Sequence, residues 1–314
     1  MRLERGEQTI LFLNRRGYSR SVVCSACGFV VTCPDCSVPY TYHQADQCLR
    51  CHICGGWIEV PRTCPECRST ALKYQGIGTQ RAEVALKACF KTARILRMDA
   101  DSTARKHSHD DILAAFRRGE ADILLGTQMI AKGLDFPKVT LVGVLNADSS
   151  LNLPDFRAAE RTYQLVSQVA GRAGRAELPG EVLVQTYDPE QPVLRAAARG
   201  DFAAFAQSEL ASRKECGFPP FCHLAAIALK SKDLRRVAAW ADMVAKSLMK
   251  VKGLQVSEAV PSALEKAEGW YRWQIIVRAE SAAEIVRAWR WIMAERPVPA
   301  SVRMGIDIDA QALL

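Results

Sequence analysis

The chain has 314 residues, 49% of them apolar, which is enough for two ordinary domain cores and a small insertion. No stretch approaches the length of a membrane-spanning apolar run, and the N-terminus lacks an apolar segment followed by a small-residue cleavage site, so the expectation is a cytoplasmic protein with no membrane partner. The net charge of +8 suits a polyanionic partner, but Lys and Arg are spread along the chain and charge alone does not name one.

Along the chain, residues 9–16 (TILFLNRR) predict a buried strand that ends in a basic turn. Eight cysteines then break the pattern, in four Cys-x-x-Cys pairs: Cys24/Cys27, Cys33/Cys36, Cys51/Cys54 and Cys64/Cys67. Two intervening residues let one tight turn present both thiolates to a tetrahedral ion. The eight therefore suit two structural zinc ions better than a redox dithiol, disulfides or an iron–sulfur cluster. Spacing alone allows sequential pairing of the four turns as readily as nested pairing. Residues 24–75 carry four basic and four acidic side chains, so the segment reads equally as a structural or protein-contact module and as a nucleic-acid contact. Cys48 reads as a bystander, Cys89 and Cys222 as small core residues, and His43 and His52 as turn or surface residues.

Beyond Gln75 helices and strands alternate: helix 79–90, strand 94–100, helix 109–120, strands 121–128 and 138–148, a long helix 155–175 and a closing strand 180–188. This order predicts an α/β domain with a parallel, doubly wound sheet and functional loops at the carboxyl ends of its strands. A helical stretch over 191–215 leads to the punctuation Gly217-Phe218-Pro219-Pro220. Strand 221–230, helix 233–251, strands 254–260 and 271–279, helix 281–295 and strand 302–309 then give the β-α-β-β-α-β order of a split βαβ sandwich. The expected division is 1–23 with 76–200 for the parallel sheet, 24–75 for the zinc insertion, 201–216 for a helical linker and 217–314 for a small α+β domain.

Two stretches carry chemistry. The strand ending at Gly126 runs into Thr127-Gln128-Met129-Ile130-Ala131-Lys132-Gly133-Leu134-Asp135, where free backbone N–H groups suit phosphate and Asp135 could reach a ribose hydroxyl; an ordinary solvated turn is the plainer reading. Further on, Gln168-Val169-Ala170-Gly171-Arg172-Ala173-Gly174-Arg175 places two guanidinium groups three residues apart among small residues. That arrangement suits charge on a transferring phosphoryl group, or else simply ends a helix. The cluster Trp270-Tyr271-Arg272-Trp273 suits base stacking or a strand facing a core, and the nearby Glu258, Glu265 and Glu268 weigh against nucleic acid.

The order GTQMIAKGLDFP, ADSSLNLPDFRAAERTYQLVSQVAGRAGR and PGEVLVQTYDPEQPVL resembles motifs V and VI of the superfamily 2 helicases. With ILFLNRRGYSRSVVCSACGFVVTCPDC at the start and GFPPFCHLAAI and YRWQIIVR near the end, it is similar over essentially the whole chain to the PriA family of replication-restart helicases. The resemblance implies a RecA-like second lobe interrupted by two structural zinc sites in nested pairing. Cys24, Cys27, Cys64 and Cys67 would hold one ion, and Cys33, Cys36, Cys51 and Cys54 the other. It implies that Thr127, Gln128 and Lys132 face nucleic acid, that Gly133, Asp135, Gln168 and Gly171 face ATP and Mg²⁺, and that Arg172 and Arg175 meet the γ-phosphate. Implied partners are forked or single-stranded DNA, primosome proteins and single-stranded DNA-binding protein.

A helicase also needs a first lobe with a phosphate-binding loop and an acidic Mg²⁺-holding pair, yet the chain contains neither a Gly-Lys nor an Asp-Glu dipeptide. The sequence corresponds to the C-terminal half of such a protein, and ATP hydrolysis is expected only together with the absent lobe. The competing expectation is a non-enzymatic DNA- or primosome-binding module. An all-thiolate zinc site leaves no open position for water, which disfavours a zinc-dependent enzyme.

Overall fold

A computed structural model describes residues 2–13, 21–35, 38–43, 47–74, 79–98, 108–127, 136–171 and 180–313. The first strand, β1 (Gln8–Leu13), is buried at five of its six positions, as a central strand covered on both faces must be. The insertion follows as β2 (Val22–Cys24), β3 (Thr41–His43), β4 (Cys48–Arg50), β5 (Trp57–Glu59) and β6 (Leu72–Tyr74). β2 and β6 pair antiparallel at its base, and β3, β4 and β5 form a small sheet at its far end.

The chain re-enters the first domain with α1 (Thr79–Cys89), β7 (Ile95–Met98), α2 (Ser108–Arg118), β8 (Ile123–Gly126), β9 (Val139–Leu145), the short α3 (Asp148–Leu151), α4 (Ala158–Ala170) and β10 (Glu181–Val184). All five strands run parallel in the order β10-β9-β1-β8-β7. On α4, Thr162, Tyr163, Leu165, Val166 and Val169 are buried while Gln164 and Gln168 are exposed, the stripe expected at helical spacing.

The helical stretch that the sequence reads as continuous is two helices, α5 (Pro192–Arg199) and α6 (Phe202–Glu215). Gly200 takes a left-handed φ of 67°, and the Asp201 carboxylate then accepts the Ala204 N–H at 2.9 Å, so one helix ends and another is capped within two residues. Residues 201–216 are not a free linker: Phe205 of α6 stacks on Tyr163 of α4 with ring centroids 4.4 Å apart, inside the core beside the parallel sheet.

The last unit comprises β11 (His223–Ser231), α7 (Leu234–Leu248), β12 (Gln255–Val256), β13 (Val260–Ala267), β14 (Trp270–Ala279), α8 (Ala282–Glu295) and β15 (Val302–Ile308). The antiparallel order β12-β14-β11-β15 is that of a split βαβ sandwich, with α7 and α8 on one face. β13 is an addition to the predicted pattern, joined to β14 by a two-residue turn in which Glu268 (φ 52°) and Gly269 (φ 78°) both take positive φ. Pro261 and the register shift before Lys266 blur the alternation that would have revealed it.

The other face of this sheet is covered by the insertion. Leu224, Ile276, Phe218, Ala310 and Leu313 share one core with Val31, Val38, Tyr40, Leu49 and Ile53. The parallel-sheet domain joins at the same place. Phe156 stacks on Phe218 at 5.2 Å, Arg213 lies 5.2 Å over the Phe156 ring and Arg278 5.4 Å over the Phe218 ring. The fully buried Asp155 carboxylate accepts from Arg161 at 2.9 Å and from the Leu313 N–H at 3.2 Å, fastening the C-terminal residues to the start of α4.

Candidate functional site

Three Cys-x-x-Cys turns share one local geometry. In each, the first cysteine exchanges backbone hydrogen bonds with the chain four and five residues on: Gly28 N–H to Cys24 O and Cys24 N–H to Phe29 O, and likewise Cys51 with Gly55 and Gly56, and Cys64 with Arg68 and Ser69. The residue just after each second cysteine must turn back sharply, and Gly28, Gly55 and Arg68 all have positive φ. This is why a glycine follows the pair in CSACG and CHICG.

These turns nest. The Sγ atoms of Cys24, Cys27, Cys64 and Cys67 all lie within 4.8 Å of one another, with Cys24–Cys67 at 3.6 Å and Cys27–Cys64 at 3.7 Å. Four sulfurs about 2.3 Å from one zinc ion stand about 3.8 Å apart in a regular tetrahedron, so the set fits the ion closely. Its electrostatics agree. Although burial opposes it, N–H groups of Ala26 and Cys27 lower the Cys24 thiol to about 7. The Phe29 N–H favours a Cys27 thiolate, but desolvation and the neighbouring sulfurs outweigh it and push Cys27 up to about 12. Four such thiolates coexist only around a cation.

A second group brings together Cys33, Cys51 and Cys54, with Cys33–Cys54 at 3.6 Å; Cys36, the expected fourth ligand, lies outside the described residues. Backbone N–H groups of Ile53 and Gly56 point at the sulfurs of Cys51 and Cys54 at 3.5 and 3.4 Å, as they do toward thiolate ligands. Cys33 and Cys51 are buried in the core shared with Leu224 and Ile276. Cys48 is buried but belongs to neither group.

Three side readings of the sequence are corrected. Cys89 is the last residue of α1 and is exposed, although it falls on the same helical face as the inward Ala82 and Leu86. His43 and His52 are buried, with their Nε2 atoms 3.2 Å apart. His43 Nδ1 contacts the Glu265 carboxylate, to which it donates. Burial, then the neighbouring His43, pushes the His52 imidazole down to about 3, which keeps it neutral. The His52 carbonyl also accepts from Gln274 Nε2 of β14 at 2.8 Å. Two histidines that looked incidental thus fasten the insertion to the C-terminal sheet.

The Trp270–Trp273 cluster divides. Tyr271 and Trp273 pack against the core under α7 and α8. Trp270 lies instead among cations: Arg303 is 4.5 Å, Lys230 5.7 Å and Lys232 5.8 Å from its ring centroid. Sheet register sets Arg272, Lys230 and Arg303 side by side on β14, β11 and β15. Glu265 is turned to His43, and the Cβ of Glu258 lies 2.9 Å from where Gly55 would carry one, so two of the three glutamates face the insertion.

In the parallel-sheet domain, Thr127 stands just past the carboxyl end of β8, its N–H 3.4 Å from the Met98 carbonyl. Gln168 is exposed on the last turn of α4 and Gly171 caps that helix. Gln128, Lys132, Gly133, Asp135, Arg172 and Arg175 lie outside the described residues. Among the described residues no helix is long and apolar enough to cross a membrane.

Parallel lobe, nested cysteine turns and C-terminal sheet each match a family description. Residues 77–177 match the helicase conserved C-terminal domain, 33–56 the PriA DNA helicase Cys-rich region domain and 214–311 the primosomal protein N C-terminal domain. The class is therefore a helicase C-terminal lobe with a structural zinc insertion. A curated relative named replication restart protein PriA, from Bacillus subtilis, is 46% identical over 285 residues, covering 90% of this chain and 35% of the relative. Those of Haemophilus influenzae and Chlamydia trachomatis are 41% and 40% identical over 314 residues, covering 99% and 98% of this chain and 43% and 41% of theirs. The chain belongs to the PriA family and spans less than half the length of these relatives.

Proposed function

We propose that the chain supplies the second motor lobe, zinc insertion and C-terminal domain of an ATP-dependent 3′-to-5′ DNA helicase, which engages stalled or branched replication forks and assembles the primosome there. One observation carries this reading. Gln168 stands exposed at the end of α4, immediately before Gly171, Arg172 and Arg175, in a chain nearly half identical to a replication restart protein. In this reading Gln168 and Gly171 face ATP, with Gly133 and Asp135 on the nucleotide side. Arg172 and Arg175 meet the charge that redistributes over the γ-phosphate. Thr127, Gln128 and Lys132 face the nucleic-acid backbone. The zinc ions are structural and take no part in the chemistry, since their ligand positions are filled by thiolates.

The basic face around Trp270 supports DNA contact by the C-terminal sheet. Like charges opposite one another across strands are unfavourable, and a phosphate backbone laid across Arg272, Lys230 and Arg303 relieves that repulsion. Trp270 offers an unpaired base a ring to stack on.

The test is ATP hydrolysis stimulated by single-stranded DNA, measured with this chain alone and mixed with a separately expressed first lobe. Turnover is expected only on mixing, and Arg175→Ala abolishes it while leaving DNA binding in place. Turnover that survives Arg175→Ala, or its failure to appear with any correctly folded first lobe, rejects the reading.

A further inference from the structure

We infer that the Cys24–Cys27–Cys64–Cys67 centre is a thiol-oxidation site from which a peroxide releases zinc ahead of the Cys33 centre of the same insertion, whose described cysteines are buried or half-buried. The two differ in access. In the first, each close sulfur pair joins one exposed and one buried cysteine: Cys27 with Cys64 at 3.7 Å, and Cys67 with Cys24 at 3.6 Å. In the second, Cys33 and Cys51 are buried and Cys54 is half-buried, so none of the three described cysteines is exposed. Oxidation of cysteine follows thiolate character and exposure together; zinc holds its cysteine ligands as thiolates at both centres, so exposure decides, and among the described residues only the first centre has exposed cysteines.

The pairing supplies a complete reaction with hydrogen peroxide as oxidant. The exposed Cys27 thiolate attacks one peroxide oxygen; an S–O bond forms, the O–O bond breaks and hydroxide leaves. The buried Cys64 thiolate then attacks the sulfenic sulfur; an S–S bond forms, the S–O bond breaks and a second hydroxide leaves. Two thiolates have lost two electrons and one peroxide has gained them. A second peroxide does the same to Cys67 and Cys24, and the ion, left without anionic ligands, departs.

The consequence is local to one joint. Gly28, in the first turn of this centre, lies against the loop after β10: a Cβ there would stand 2.9 Å from the Asp188 Cβ and 3.0 Å from the Tyr187 carbonyl oxygen. Loss of the ion loosens the insertion from the parallel-sheet lobe. The contacts of His43, His52 and Gly55 with the C-terminal domain sit around the Cys33 centre and persist.

The experiment adds hydrogen peroxide to the zinc-loaded chain, follows zinc with a chromophoric chelator and maps disulfides by mass spectrometry of unreduced peptides. One zinc per chain is expected in a first phase at least about tenfold faster than the second, with Cys27–Cys64 and Cys24–Cys67 linked at the end of it. Hydrogen exchange should rise in β2 and β6 and stay unchanged in β11 and β14. Cys27→His keeps four ligands but removes an attacking sulfur, and slows the first phase; if that variant does not hold two zinc ions, the unmodified chain decides alone. Release of both ions in one phase, or first disulfides at Cys33, Cys36, Cys51 or Cys54, overturns the inference.

Discussion

The two cysteine centres are built of thiols presented by the same kind of turn at Cys24, Cys51 and Cys64, yet they sit in different surroundings. The Cys24 centre lies at the base of the insertion, beside the β2–β6 pair, half open to water and touching the parallel-sheet lobe through Gly28. The Cys33 centre contributes Cys33 and Cys51 to a core that also contains Leu224 and Ile276 of the C-terminal sheet, and it touches that sheet through Gly55. One ion holds the base of the insertion; the other is part of the packing that joins two units. Metal binding stabilises both, but the neighbours decide how far the loss of an ion spreads.

The largest effect should come from removing a ligand at the buried centre. Structural zinc contributes on the order of 10 kcal/mol in small zinc-binding modules, more than the stability of many domains. Cys51→Ser is expected to lose its zinc and to lower the unfolding temperature of the C-terminal domain as well, because the shared core opens. Cys67→Ser should lose one zinc and leave the C-terminal transition in place. Metal analysis with calorimetry separates the two, and equal damage from both variants would dissolve the contrast.

Next comes Ile276→Ala. Ile276 is 2% exposed in the shared core, so truncation costs about 2–5 kcal/mol. Chelator-driven release from the Cys33 centre should accelerate while release from the Cys24 centre keeps its rate. The two glycines probe the same contrast more gently. Gly55 has φ 86° and a Cβ there would meet the Glu258 Cβ at 2.9 Å; Gly28 has φ 79° and meets Asp188 and Tyr187. Each alanine variant is strained by conformation and by contact, about 1–3 kcal/mol. Gly55→Ala should raise hydrogen exchange along β13 and β14, and Gly28→Ala along the segment after β10.

Much of this was legible in advance where the signal is local. Residues 123–126 are buried on both sides, so ILLG reads as a central strand from composition alone. The Cys-x-x-Cys turns announce themselves by spacing, and α7 and α8 fall inside the helices 233–251 and 281–295 that the sequence predicts, with Asp233 and Ser281 found as their caps. What the sequence hides is which surfaces meet. His52 and Gln274 are 222 residues apart, and nothing near either says that they bond. His43 looked like a surface residue because its burial is made by β13 and Glu265, from a hairpin the alternation also concealed. Cys89 looked like core because it lies in an apolar stretch, in helical phase with Ala82 and Leu86, yet it is the last residue of α1 and is exposed. Of the residues proposed to face nucleotide, Gln168 lies on the last turn of α4 and Gly171 just past its end, where the sequence predicts helix through 175, whereas Arg172 and Arg175 lie outside the described residues.

The smallest effect belongs to the carboxylate that completes the joint at the buried centre. The hydrogen bond from His43, opposed by partial burial, holds Glu265 below the usual value of 4.5. A carboxylate lowered on folding stabilises the folded chain fully above its unfolded value, and that contribution disappears as pH falls through the lowered folded value. Glu265 is 43% exposed, so solvent screening limits the pair to about 1 kcal/mol or less. Glu265→Gln keeps an oxygen for His43 but removes the charge. The stability difference from the unmodified chain should therefore be present at pH 7 and shrink as the pH falls below the ordinary value of 4.5 and through the lowered folded value, measured by urea titration across that range. Zinc-site protonation is common to both proteins and cancels in the difference. A gap that stays constant with pH would mean that Glu265 joins the two units by packing alone.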